Sequence, residues 1–154
     1  MMKRTLMVLM FLVQLICANA QKPKIADVFR TMPDSIMPYL TASSRLDLID
    51  FKEAGMRASV NNLLEGESEM TLLTDDSLSI RMSGVLTVDM QLVGVEEPVD
   101  SSMYVVRLVR TYTINGRQTE SIVDIYSTVW RPVSSERTSF SLLRRDEEVF
   151  SPRP

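Results

Sequence analysis

Residues 21–154 predict an α+β fold: two N-terminal helices packed on a twisted antiparallel sheet of about five or six strands. Three observations predict it. The apolar period is 3.6 before Gly55 and 2 after it. The dipeptide Asn115-Gly116 stands between two long alternating runs, where it suits a tight hairpin turn. The helical segments precede the strand segments instead of alternating with them.

The first helix rests on Ile25, Val28, Phe29 and Met32, which share one face at i, i+3, i+4 and i+7. Pro33 ends it. Residues 33–40 carry Pro33 and Pro38 and read as a turn. Ser44-Arg45-Leu46-Asp47 has the shape of a capping box with Asp at its fourth place. It predicts a second helix from about Arg45 to Ala54, with Leu46, Ile49 and Leu48 toward the core. Gly55 is its C-terminal cap.

Strands follow. Met70 and Leu72, then Thr74-Asp75-Asp76-Ser77, then Leu78, Ile80 and Met82 read as a hairpin. Gly84 interrupts. Leu86, Val88, Met90 and Leu92 then alternate with Thr87, Asp89 and Gln91. Residues 94–100 (GVEEPVD) read as a turn.

The Asn115-Gly116 turn implies a register, because a two-residue loop pairs Ile114 with Arg117. Counting outward, Leu108 meets Val123 and Val106 meets Ile125. On the other face Val109 meets Ile122, Arg107 meets Asp124 and Val105 meets Tyr126. Apolar residues oppose apolar ones and the charges oppose each other. One sheet face then carries Arg107, Thr111, Glu120 and Asp124, turned to water or a partner. Tyr126 and Trp130 end the hairpin as an aromatic contact patch or a half-buried strand end. Arg107, Asp124, Tyr126 and Trp130 form the candidate interaction face. Arg131-Pro132 ends the strand. The tail, with Phe140, Leu142, Leu143, the charged run 144–148, Val149 and Phe150, has no clear assignment.

The first twenty residues concern destination. Lys3-Arg4 precede a mostly apolar stretch, Thr5 to Cys17, followed by Ala18-Asn19-Ala20 and Gln21. Basic start, apolar stretch and small-x-small end are the marks of a cleaved secretory signal peptide. The stretch is short for a permanent span. Ile16 before Cys17 disfavours lipoprotein processing. The expected organisation is a signal peptide over 1–20, cleaved between Ala20 and Gln21, and one domain over 21–154. No segment of that domain is apolar enough to span a membrane. The destination is the periplasm or the extracellular space.

Composition narrows the chemistry. Removing residues 1–20 takes Lys3 and Arg4 and no acid, so the net charge moves from −3 to −5. That balance argues against nucleic acid and against anionic membranes. Cys17 is the one cysteine and there is no histidine. Cys-His and Ser-His-Asp catalysis and His- or Cys-based zinc sites are thereby excluded. No cofactor is expected. Carboxylate chemistry remains. Asp47 with Asp50, Asp75 with Asp76, and Glu65, Glu67, Glu69, Glu96 and Glu97 are the acids to weigh. Helix capping and turn chemistry explain the aspartates without a site. Met70, Met82 and Met90 line either the core or a pliable groove.

Residues 27–40, continued by residues 45–51 (RLDLIDF) and by Leu73-Thr74-Asp75-Asp76, resemble a family of short exported Bacteroidales proteins of unknown function. The resemblance covers most of residues 21–154 and is clearest from Asp27 to Asp76. It implies a Gram-negative envelope and brings no catalytic residue. The reading is an exported cell-envelope protein of non-catalytic type that binds an envelope protein, glycan or lipid through its sheet. The alternatives are a small carboxylate-based glycan hydrolase and a lipid or peptide carrier.

Overall fold

A computed structural model of the chain describes residues 22–133. The signal-peptide reading, with Ala18, Ala20 and Gln21, and the tail after Val133 lie outside the described residues. Two helices, α1 (Ile25–Arg30) and α2 (Ala42–Glu53), precede six strands. These are β1 (Ser59–Asn61), β2 (Glu67–Leu73), β3 (Ser77–Arg81), β4 (Leu86–Val99), β5 (Ser102–Ile114) and β6 (Arg117–Ser127). The strands run β1-β2-β3-β4-β5-β6 in one open sheet, each antiparallel to the next. The class is α+β.

Helix α1 is built as its spacing predicts. Ile25, Val28, Phe29 and Met32 are all buried. Helix α2 begins earlier than its capping-box reading. Its N-cap is Thr41, whose Oγ1 accepts from the Ser44 amide at 3.1 Å. The start therefore lies one turn nearer the N-terminus, and the inward face differs from the expected one. Arg45 is only 1% exposed, while Leu46 is 41% exposed. Leu48 and Ile49 are buried as expected. Gly55 closes the helix at φ +70°, with the Gly55 amide on the Lys52 carbonyl and the Met56 amide on the Phe51 carbonyl. That is the paired bonding of a Schellman end.

The helices do not lie across a whole sheet face, which corrects the expected layout. Helix α2 packs on β1 and β2, and α1 on α2, β3 and β4. Length is the reason. Six residues of helix span about 9 Å and twelve about 18 Å, whereas six strands span about 24 Å. The core therefore gathers beneath the helices, from Phe29, Leu48 and Ile49 to Ile80, Met90 and Leu108. Met70, Met82 and Met90 are part of it as packing residues, and Met90 also reaches the floor of a depression on the opposite face.

Arginines hold residues 32–40 against this core. Arg45 donates to the carbonyls of Leu40 at 2.7 Å and Met32 at 2.6 Å, and pairs with Asp34 at 2.9 Å. Arg110 on β5 donates to the Ile36 carbonyl at 3.1 Å and pairs with Asp124 on β6.

Two corrections concern the strands. Residues 94–99 are strand, not turn. The reversal is made by Asp100 and Ser101, both at positive φ, with Val99 paired to Ser102. Pro98 sits where the β4–β5 pairing lapses between Gly94 and Val99, a place that asks no amide of it. The Asn115-Gly116 turn forms with both residues at positive φ and pairs Ile114 with Arg117. Two pairs later the counted register fails. Thr113 meets Gln118, but Tyr112 meets Glu120. Thr119 is the extra residue of a bulge, and its hydroxyl donates to the Tyr112 carbonyl at 3.1 Å. Leu108 therefore meets Asp124, Arg107 meets Ile125 and Val105 meets Ser127.

Candidate interaction surface

A one-residue shift moves every side chain of a strand to the other face, and this divides the expected interaction face. Arg107 points away from the helices, since its neighbours Val106 and Leu108 are in the core. Asp124 is on the helix side, bound to Arg110. Tyr126 packs against the core from that side. Trp130 is buried, and its Nε1 donates to the Val28 carbonyl at 3.0 Å. The Tyr126 and Trp130 rings lie 5.8 Å apart, so the aromatic pair anchors the end of β6 to α1. Arg107 alone of the four stands on the open face.

That open face is ordered by strand. Over β1–β3 it is charged. Arg57 pairs with Glu67 at 3.4 Å and Glu69 at 3.6 Å, and Arg81 pairs with Glu69. The Ser59 hydroxyl, and after it Arg57, holds the Glu67 carboxyl below the ordinary carboxylate range. Over β3–β5 the face becomes mixed. Ser77 opposes Gln91, Ser79 opposes Asp89, Gln91 opposes Arg107 and Asp89 opposes Val109. A shift in the β2–β3 pairing between Met70 and Leu72 leaves Leu72 exposed. Leu72, Ser77, Asp89, Gln91, Arg107 and Val109 line a depression of about 160 Å³. Beyond it, Val123 and Ile125 continue the apolar part on β6.

The aspartates weighed from the sequence lie on α2 and in the β2–β3 turn. Asp50 approaches Arg30 at 3.9 Å, and Asp47 is exposed. Asp75 and Asp76 make the β2–β3 turn and clasp the chain ahead of α1. The Ile25 amide donates to the Asp75 carbonyl at 2.9 Å, and Lys22 pairs with Asp76 at 3.2 Å. Lys22, then Thr74 and Ser77, hold the Asp76 carboxyl below its usual range. Glu67 and Asp76 are thus lowered, the wrong direction for the general acid of a glycosidase. Among the described residues, no three or more His, Cys, Asp or Glu residues are grouped to hold a metal ion. No described helix is long and apolar enough to cross a membrane.

The sequence pattern placed Arg107 and Val109 on one face through simple alternation, and set Asp89 and Gln91 opposite the apolar positions of their own strand. It missed Leu72, whose outward turn depends on a pairing shift. It misplaced Asp124, and of its two readings of Tyr126 and Trp130 the strand end, not the contact patch, is what the structure has.

No curated protein matches the sequence. The structure is similar to that of a domain of an uncharacterized protein from Porphyromonas gingivalis W83, with a TM-score of 0.58 and 26% identity. That similarity covers 87% of this chain and 59% of the other. Residues 17–150 match the family described as "Protein of unknown function (DUF3256)", and the chain belongs to that family.

Proposed function

We propose that the chain is an exported cell-envelope protein that works by binding a partner protein, and that the open sheet face is its contact surface. The observation that carries this reading is the mixed character of the depression. Leu72 and Val109 supply apolar contact, and Ser77, Asp89, Gln91 and Arg107 supply directional polar groups around them. Protein interfaces join such a centre to a polar rim. The charged Arg57–Glu67–Glu69–Arg81 group supplies one side of that rim. The packing of Met70 and Met82 in the core disfavours a lipid carrier. Lowered Glu67 and Asp76 disfavour a carboxylate hydrolase. In this reading the helices stiffen the back of the platform, and residues 21–154 act as one domain. The basic, apolar and Ala-Asn-Ala segments of residues 1–20 support export to the periplasm or beyond.

The test is capture from native cells with the tagged full chain and with Val109→Asp. The expected product begins at Gln21, fractionates with the envelope and retains an envelope protein that Val109→Asp loses. An uncleaved cytoplasmic product overturns export. A partner retained equally by Val109→Asp overturns the open face as the contact surface.

A further inference from the structure

The β1–β2 turn, residues 62–66 (NLLEG), is held more firmly than a solvent-facing connection requires. Asn62 is buried, and all its side-chain polar atoms are engaged. Its Nδ2 donates to Ser68 Oγ at 3.0 Å and to the Met82 carbonyl at 2.9 Å. Its Oδ1 accepts from the amides of Leu64 at 2.9 Å and Gly66 at 3.1 Å. The Asn62 amide donates to the Gly66 carbonyl at 2.8 Å, and the Leu63 amide to the Tyr39 carbonyl at 3.0 Å. Glu65 adopts φ +58° to close the turn.

What this turn displays is apolar. Leu63 is 66% exposed and Leu64 is 54% exposed, with exposed Tyr39 bonded alongside through its backbone. Scattered single leucines on a surface are ordinary. Two in succession, at the tip of a turn locked by a buried asparagine, are a different arrangement. Polar and small residues are the usual occupants of a turn tip. A tip fixed before contact loses little conformational freedom on binding.

We propose that Leu63 and Leu64 form a docking knob that enters an apolar pocket with a basic rim on a partner protein. The knob is convex, so it fills a pocket and holds no ligand itself. Glu65 follows it in the chain, exposed, and gives its flank a negative charge, which a basic rim complements. The turn carries no basic residue, and Glu65 is repelled by anionic headgroups, so a bilayer is the wrong counterpart. The knob is separate from the open sheet face and does not depend on it.

The test places a photo-crosslinking side chain at Leu63 in the full chain, in native cells, with exposed Asp47 on α2 as the control position. The expected result is one protein adduct, reduced at least about tenfold by Leu64→Asp and unchanged by Val109→Asp. Its crosslinked peptide maps to apolar residues flanked by Lys or Arg. Leu64→Ser repeats the test should Leu64→Asp fail to fold. An adduct with a second copy, an adduct with lipid, a protein site without basic residues, or no adduct above the Asp47 control overturns the proposal.

Discussion

Two arginines tie the same segment, residues 32–40, to two different regions, and they do so under different conditions. Arg45, in the helix-covered region, is buried and bound through its terminal nitrogens by the Met32 and Leu40 carbonyls and Asp34, while its Nε has no hydrogen-bond partner. Arg110, toward the β5–β6 hairpin, is partly exposed and shares itself between the Ile36 carbonyl and Asp124. The helix-covered region buries Asn62, Ser68 and the terminal nitrogens of Arg45 and bonds them. The hairpin leaves Ile114, Ile122 and Val123 exposed to water. The difference teaches where cooperativity resides. Unpaired groups in the first region are costly because water cannot reach them, whereas in the second it can.

The sharpest break of this comparison is Arg45→Ala. It leaves two buried carbonyls without their donor and should cost about 2–6 kcal/mol by denaturant unfolding. Arg110→Ala should cost about 1 kcal/mol, as for a half-exposed pair. Equal losses would show that the two ties are equivalent. Next in size is Ile80→Ala, at the centre of the core, at about 2–5 kcal/mol. Val123→Ser on the hairpin should stay within about 0.5 kcal/mol. Calorimetric midpoints would separate them.

Smaller effects sharpen the comparison further. Gly116→Ala meets open space but must hold φ +74°, so strain alone should cost about 1 kcal/mol. A larger loss would mean that the turn sets the folding of the whole sheet. The smallest effect is at Asp76. Its carboxyl is lowered chiefly by Lys22, so its contribution is present above the unfolded-state value of about 3.9 and fades as pH falls through the lower folded value. Asp76→Asn should cost at most about 1 kcal/mol at neutral pH, given its exposure. The gap to the parent chain should close in acid. A gap independent of pH would assign the effect to the turn's hydrogen bonds and not to charge.

Much of the fold was legible because it obeys simple periods. The face of α1 and the alternation of β3 and β4 follow directly from apolar spacing. Gly55 and Asn115-Gly116 announced themselves because few residues tolerate positive φ. The failures are equally specific. Residues 41–44 offer three hydroxyl-bearing cap candidates, and Asp47 made the wrong one look complete. Arg45 was missed because a cation reads as surface until its buried acceptors are known. Pro98 suggested a turn because the lapse in pairing that accommodates it is a tertiary fact. Thr119 carries no glycine or other mark of a bulge, so the interaction face was mis-sorted along β6, while the alternation of β4 as far as Leu92 and of β5 was read correctly. The Leu63-Leu64 tip was passed over because its distinction is the rigidity conferred by Asn62, which no local pattern displays.

Thr119 makes the hairpin unequally sensitive to two kinds of change over its history. Substitutions there leave every neighbour on its own side. Loss of the single residue would slide the rest of β6 by one place, carrying Tyr126 out from beside Trp130 and Asp124 away from Arg110. Descendants of this chain can vary the chemistry of that arm freely but can change its length by one only together with everything that fastens β6 to the helices.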